Sequence, residues 1–149
     1  MEEKQLGREL LILSNKFKRL LDKRHSKNGL FVGQARILNF LYFRKSETVY
    51  QKDIENAFQI RGGSVTGMID SLVKEDYIKR VESKTDKRKR EIVLTKLGES
   101  IAIKSQESIK EVETSLSSVL TLEEREVFNN LLMKIDKWID EEENNEKTI

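Results

Sequence analysis

Five cations fall within seven residues at Lys84, Lys87, Arg88, Lys89 and Arg90, opposed inside that run only by the carboxylate of Asp86. Such a density suits the neutralisation of a polyanion, because a cationic loop can track phosphates or enter a narrow groove of negative potential. Asp86 and Arg88 stand at a spacing where carboxylate and guanidinium can share a charge-assisted hydrogen bond. A second group lies upstream, in Arg61-Gly62-Gly63-Ser64-Val65-Thr66-Gly67. Ser64 and Thr66 can donate to a phosphate from a helix N-terminus, where free N–H groups and the helix dipole also favour an anion. Ser64 fits an N-cap as well, and the two roles are compatible. Arg61 can reach either a phosphate or a base edge, and Gln51 opens the preceding helix on the side where a phosphate would lie. Gly67 offers no side chain there, which suits close backbone approach or shape readout, and Gly63 is counted with the same group. Asp70 needs either a cytosine amino group or a nearby cation beside it.

The rest of the composition narrows the chemistry. The chain of 149 residues has no cysteine, no proline and one histidine. Disulfides, thiolate catalysis, thiol redox sensing and cysteine-ligated metal are excluded, and His25 alone cannot supply a histidine metal cluster or a conventional acid/base pair. His25 reads as a surface or dimer-contact residue rather than a ligand. With no nucleophile–base pair and no phosphate-cradling loop, the chain does not read as an enzyme, and no cofactor or metal is expected. Lys and Arg exceed Asp and Glu by nine to four over residues 1–43 and by thirteen to nine over 44–96, but trail by six to thirteen over 97–149, giving +5, +4 and −7. That division allows one surface to face a polyanion while another does not. The acidic N-terminus is not a signal peptide, and no segment approaches the roughly 20 apolar residues of a membrane span, so the expected address is cytoplasmic.

These residues need elements to hold them. Leu6, Leu10, Leu13, Phe17 and Leu20 recur at steps of four and three, the stripe of an amphipathic helix that stops before Lys27-Asn28-Gly29. A second helix is expected over 33–44, with Ser46-Glu47-Thr48 as a break, and a short third over Gln51–Phe58. Arg61-Gly62-Gly63 reads as a tight turn into a fourth helix from Ser64 to about Glu75, its buried stripe Val65, Met68, Ile69, Leu72 and Val73. Two short helices about a glycine turn suggest a helix-turn-helix. The period then changes: Tyr77–Val81 and Glu91–Leu94 are β-prone, and with the basic run between them they read as a hairpin. A long helix over 96–120 follows, then Thr121-Leu122-Glu123-Glu124 as a capping box and a last helix bearing Val127, Leu131, Leu132, Ile135, Trp138 and Ile139. The polar segment Asp140–Ile149 is expected to fray.

The expected fold is mainly α with a small β-hairpin: a winged helix-turn-helix over 33–96, bracketed by a dimerisation helix in 1–32 and dimerisation helices in 97–149. The terminal helices carry more apolar surface than the centre can cover, and pairing about a two-fold axis is the economical solution. Leu6, Leu10, Leu13, Leu116, Leu131, Ile135 and Trp138 are the expected dimer contacts.

At this point the chain resembles the MarR family of bacterial regulators. Gly63-Ser64-Val65-Thr66-Gly67-Met68-Ile69-Asp70-Ser71-Leu72-Val73 is similar to that family's recognition helix. Tyr77-Ile78-Lys79-Arg80 resembles its entry into the wing, and Asp86-Lys87-Arg88 with Ile92-Val93-Leu94-Thr95 and Gly98 resembles its Asp-x-Arg and Leu-Thr-x-x-Gly motifs. Asp76 departs from the family's usual glycine, and Gly67 stands where many members carry an arginine. The resemblance implies a homodimer on a pseudo-palindromic operator of double-stranded DNA, with recognition helices in major grooves and wings in minor grooves. It further implies a repressing role, often relieved by a small, commonly aromatic effector. Arg88 would be the residue in the groove and Asp86 the carboxylate orienting it. Zinc-sensing branches need several histidines and redox-sensing branches a cysteine, so a ligand-responsive or constitutive repressor remains. Phe17, Phe31, Phe40 and Tyr42 could line an effector pocket, although rings at such positions are more often core. The rival reading is a winged-helix module that sets its basic wing against an acidic protein.

Overall fold

The computed structural model describes residues 5–148. Its helices are α1 (Leu6–His25), α2 (Val32–Phe43), α3 (Gln51–Phe58), α4 (Gly62–Lys74), α5 (Lys96–Ser118) and α6 (Leu122–Lys147), with strands β1 (Ile78–Glu82) and β2 (Arg90–Leu94) between α4 and α5. The chain forms two compact units that divide inside α5, between Ile109 and Lys110.

In the first unit α1 leaves its whole leucine stripe exposed and buries only His25. It stops where the asparagine–glycine pair predicts, in a 3-10 turn over Ser26–Asn28 capped by Gly29 at φ 71°. Asp22 Oδ1 accepts the Val32 N–H at 2.7 Å, tying the end of α1 to the start of α2. His25 corrects the expectation of a surface or dimer-contact residue: the chain reverses just after it, and the residue is 1% exposed within its own chain. Burial pushes its pKa down, an effect that nearby Asp22 partly offsets and Lys27 reinforces.

α2 is apolar almost all round and packs on α1, α4 and β2. Its Ala35, Ile37, Leu38 and Leu41 meet Ile54 of α3, Val65, Ile69 and Leu72 of α4, Ile78 and Ile92 of the hairpin, and Ala102 of α5. Each of these side chains comes from the apolar stripe of its own element, which is how one core orients six pieces at once.

The turn between α3 and α4 differs from expectation. α4 begins at Gly62, neither Gly62 nor Gly63 has a positive φ, and the reversal is carried by Gln59 at φ 53°. The Gln59 side-chain amide donates to Asn56 O at 2.8 Å. A Cβ at Gly62 would come within 2.8 Å of Glu55 Oε1, the end of a side chain that can swing aside. At the far end of α4, Asp76 takes φ 60°, and Tyr77 N donates to Leu72 O at 3.0 Å. This is a left-handed helix stop, at a position where an aspartate is tolerated better than most side chains.

β1 and β2 pair antiparallel in the register Ile78↔Leu94 to Glu82↔Arg90. A third piece of chain joins them: Tyr50 bridges Glu91, and Ile92 N donates to Val49 O at 2.8 Å. Thr95 and Gly98 close the joint below. The Thr95 hydroxyl donates to Asp76 O at 2.6 Å and accepts the Gly98 N–H at 2.9 Å. A Cβ on Gly98 would overlap the Tyr77 carbonyl, so only glycine lets α5 start this close to β1.

In the second unit, Thr121 and Glu124 form the expected capping box, Glu124 N donating to Thr121 Oγ1 at 3.1 Å and Thr121 N to Glu124 Oε1 at 2.9 Å. The expectation of fraying from Asp140 is corrected: α6 runs on to Lys147. Glu and Lys are good helix formers, no glycine or proline interrupts them, and Lys137 and Glu141 add an i,i+4 ion pair at 4.0 Å. None of the described residues of α6 is buried. Among the described residues, no helix is long and apolar enough to cross a membrane.

Candidate nucleic-acid interface

The wing is built from its hydrogen bonds outward. Ser83 N donates to Lys89 O and Lys89 N to Asp86 O, each at 3.0 Å, which closes the tip into a compact loop. Asp86 Oδ1 accepts the backbone N–H of Arg88 at 3.1 Å and its Nε at 3.2 Å. The Asp86 side chain is 28% exposed and that of Arg88 is 90% exposed, so the carboxylate is seated while the guanidinium stands in solvent. These two contacts with Arg88, the side-chain bond first, hold the Asp86 carboxyl below the usual carboxylate range. Lys84, Lys87, Lys89 and Arg90 are also exposed. The pairing expected of Asp86 and Arg88 is therefore present.

On α4 the exposed face reads Gly63, Ser64, Thr66, Gly67 and Asp70. Arg61 is the N-cap residue and makes no side-chain cap, which overturns the N-cap alternative for Ser64, a residue two positions inside the helix. The physical reason is the earlier start of the helix at Gly62. Ser64 is exposed in the first turn, where uncapped backbone N–H groups favour an anion. A Cβ added at Gly63 or Gly67 would meet nothing within 4 Å, so these two positions present bare backbone one helical turn apart.

Gln51 and Thr66 turn toward each other. Gln51 Nε2 donates to Thr66 Oγ1 at 2.8 Å, and Thr66 Oγ1 donates to Gly62 O at 2.8 Å. The Thr66 proton is thereby engaged inside its own helix, and the pair links α3 to α4. Asp70 has the cation its position called for, in an ion pair with Arg80 of β1. That contact joins α4 to β1.

Three residues of this assembly carried no local signal as site residues. Tyr50 and Ser83 link wing to helix-turn-helix through their hydroxyls, 2.7 Å apart, and Val49 pairs with β2. The capping pattern Tyr50-x-x-Asp53 marks the start of α3, with Tyr50 N donating to Asp53 Oδ2 at 2.8 Å, but says nothing of a partner 33 residues away.

The remaining expected residues lie elsewhere. Phe40 and Tyr42 pack against the core. Phe40 meets Phe58 edge-on at 5.5 Å and lies 3.8 Å beneath the Arg44 guanidinium. Tyr42 meets Phe43 edge-on at 5.4 Å, and Phe17 and Phe31 are exposed. Leu6, Leu10 and Leu13 in the first unit, and Leu116, Leu131, Ile135 and Trp138 in the second, are all exposed.

Known proteins match this arrangement. Residues 28–89 fit the family model described as MarR family. A stretch of 96 residues, 64% of this chain, is 25% identical to the HTH-type transcriptional repressor YetL of Bacillus subtilis, and the chain spans 58% of that relative's length. MepR of S. aureus in its complex with DNA superposes with a TM-score of 0.87 at 25% identity, over 92% of this chain and 99% of that one. The reduced form of MarR from E. coli gives 0.71 at 25% identity, over 91% and 98%. With its winged helix-turn-helix, its Asp86–Arg88 wing and its Thr95–Gly98 joint in place, this chain is similar to the MarR family across residues 28–89 and shares the winged-helix fold of MepR and MarR.

Proposed function

We propose that the protein is a cytoplasmic, homodimeric transcriptional regulator that binds double-stranded DNA at a pseudo-palindromic site, as a repressor. The observation that carries the reading is the wing, where a seated carboxylate holds a 90% exposed guanidinium among four further exposed cations. A cation pre-oriented in this way suits insertion into a narrow minor groove, and its neighbours suit phosphates on either side. Arg61, Ser64 and the bare backbone at Gly63 and Gly67 are assigned to the major groove, with Gln51 and Thr66 bracing them. Residues 33–96 act as the DNA-binding part.

The dimer reading is supported by each unit's uncovered apolar residues. Leu6, Leu10 and Leu13 on α1 and Leu131, Ile135 and Trp138 on α6 leave more apolar surface in water than a monomer commonly tolerates. A small aromatic effector is proposed on family likeness, with Phe17, Phe31, Phe40 and Tyr42 as the rings offered for its site.

The test is affinity for a duplex from the DNA upstream of the protein's own gene, measured by fluorescence anisotropy across salt concentrations. Log K should fall steeply and linearly with log[salt] as counterions are released. A flat response overturns the reading and favours a wing that meets an acidic protein. Light scattering should give twice the monomer mass.

A further inference from the structure

We propose that Tyr50 and Ser83 form a hydroxyl clamp that sets where the wing stands relative to the helix-turn-helix, making Tyr50 a positioning residue for Arg88; this rests on the DNA-binding reading of the wing.

Tyr50 is anchored on three sides. Its N–H donates to Asp53 Oδ2 at 2.8 Å and its carbonyl accepts Asp53 N at 3.0 Å, so it is part of the start of α3. Its backbone bridges Glu91 on β2. Its ring lies 5.2 Å from the Lys89 ammonium, within reach of a cation–π contact. The phenol oxygen then lies 2.7 Å from Ser83 Oγ.

Ser83 is 4% exposed and is the last residue before the cationic tip. Its Oγ faces the N–H groups of Thr85 and Asp86, each at 3.3 Å. A hydroxyl has one proton and two lone pairs. Ser83 Oγ accepts from these amides and shares a proton with the phenol, with either hydroxyl able to donate. Asp86, whose N–H faces Ser83, is the residue that grips Arg88 through its carboxylate. Three short links therefore join the first residue of α3's cap to the guanidinium at the tip.

The physical need is plain. A two-stranded hairpin is marginal by itself, and ordering a loop on binding costs conformational entropy. A clamp from the tip end of β1 to the start of α3 removes that cost before DNA arrives, and does so from the element that also braces α4 through Gln51 and Thr66.

Tyr50→Phe removes one oxygen and keeps the ring, the Lys89 contact and the backbone anchors; Ser83→Ala removes the other half. In the free protein, amide hydrogen exchange at residues 84–89 should quicken about tenfold in either variant, while core amides at Ile37 and Leu38 keep their rates. Unchanged exchange at 84–89, or equal acceleration in the core, overturns the clamp. On DNA, Tyr50→Phe should weaken binding about fivefold in the native background and have little effect in the Arg88→Ala background, because the two act through one contact. Additive losses overturn the link to Arg88. Failure of every form to bind DNA would sink the DNA-binding reading, and with it the role toward Arg88, while hydrogen exchange still decides whether the clamp exists.

Discussion

The carboxylate of Asp86 takes three donors from one residue: the backbone N–H of Arg88 at 3.1 Å, its Nε at 3.2 Å and its Nη2 at 3.4 Å. One acid thus fixes both where the chain turns and where the guanidinium points. Ion pairs this exposed add little to stability, so the arrangement makes more sense as orientation than as glue.

Arg88→Ala should weaken DNA binding by about 1–3 kcal/mol, the range of an oriented arginine contact. Glu141→Gln, in the acidic stretch of α6, should leave binding within error or improve it slightly. Anisotropy titrations at one salt concentration make the comparison, and equal losses in the two variants would remove Arg88 from the interface.

The Asp86 carboxyl, held low first by the Arg88 side chain and then by the Arg88 N–H, should titrate below the ordinary aspartate value of about 3.9. A depressed carboxylate contributes fully above its unfolded-state pKa and loses that contribution as pH falls through its folded one. Carbon-detected NMR titration of the side chain should show the low midpoint, and Arg88→Ala should move it upward.

His25 gives a lever of the same sign on stability, but at higher pH. Its burial favours the neutral ring, so the unfolded chain takes up a proton first, near pH 6.5. Stability should be complete above that value and decline as pH falls through it toward the lower folded pKa. Urea midpoints at pH 5.5 and 7.5 should differ for the native chain, and the part of that difference due to His25 should vanish in His25→Leu.

Two glycines should respond in opposite directions. Gly98→Ala drives a methyl into the Tyr77 carbonyl and should cost at least about 1–3 kcal/mol, the range for overpacking. Gly67→Ala meets open space at a helical position without positive φ and should stabilise α4 by up to about 1 kcal/mol. Urea unfolding of both variants checks the pair. Gly67→Arg, equally free of clashes at its Cβ, should change which operator bases are discriminated, as a binding-site selection would show.

Much of this architecture was legible in local pattern. The leucine stripe of α1, the Asn28-Gly29 stop, the β-prone runs flanking the basic segment and the Thr121–Glu124 box are short-range periodicities and caps, and each formed as read. The Asp86–Arg88 grip was legible for the same reason, its partners lying two residues apart. What escaped depended on chain segments meeting in space. The left-handed residue fell at Gln59, the C-cap of α3, rather than at a glycine, and α4 starts at Gly62. Asp70 found its cation in Arg80, and Thr66 spent its proton on Gly62, choices that the type of a residue leaves open. Tyr50 met Ser83 only because Val49 and Tyr50 fold onto β2, a pairing whose sequence separation hides it from any local rule. Periodicity and capping chemistry act within a turn or two of chain, so residue order alone states them; which distant polar groups satisfy each other is settled by packing of the common core.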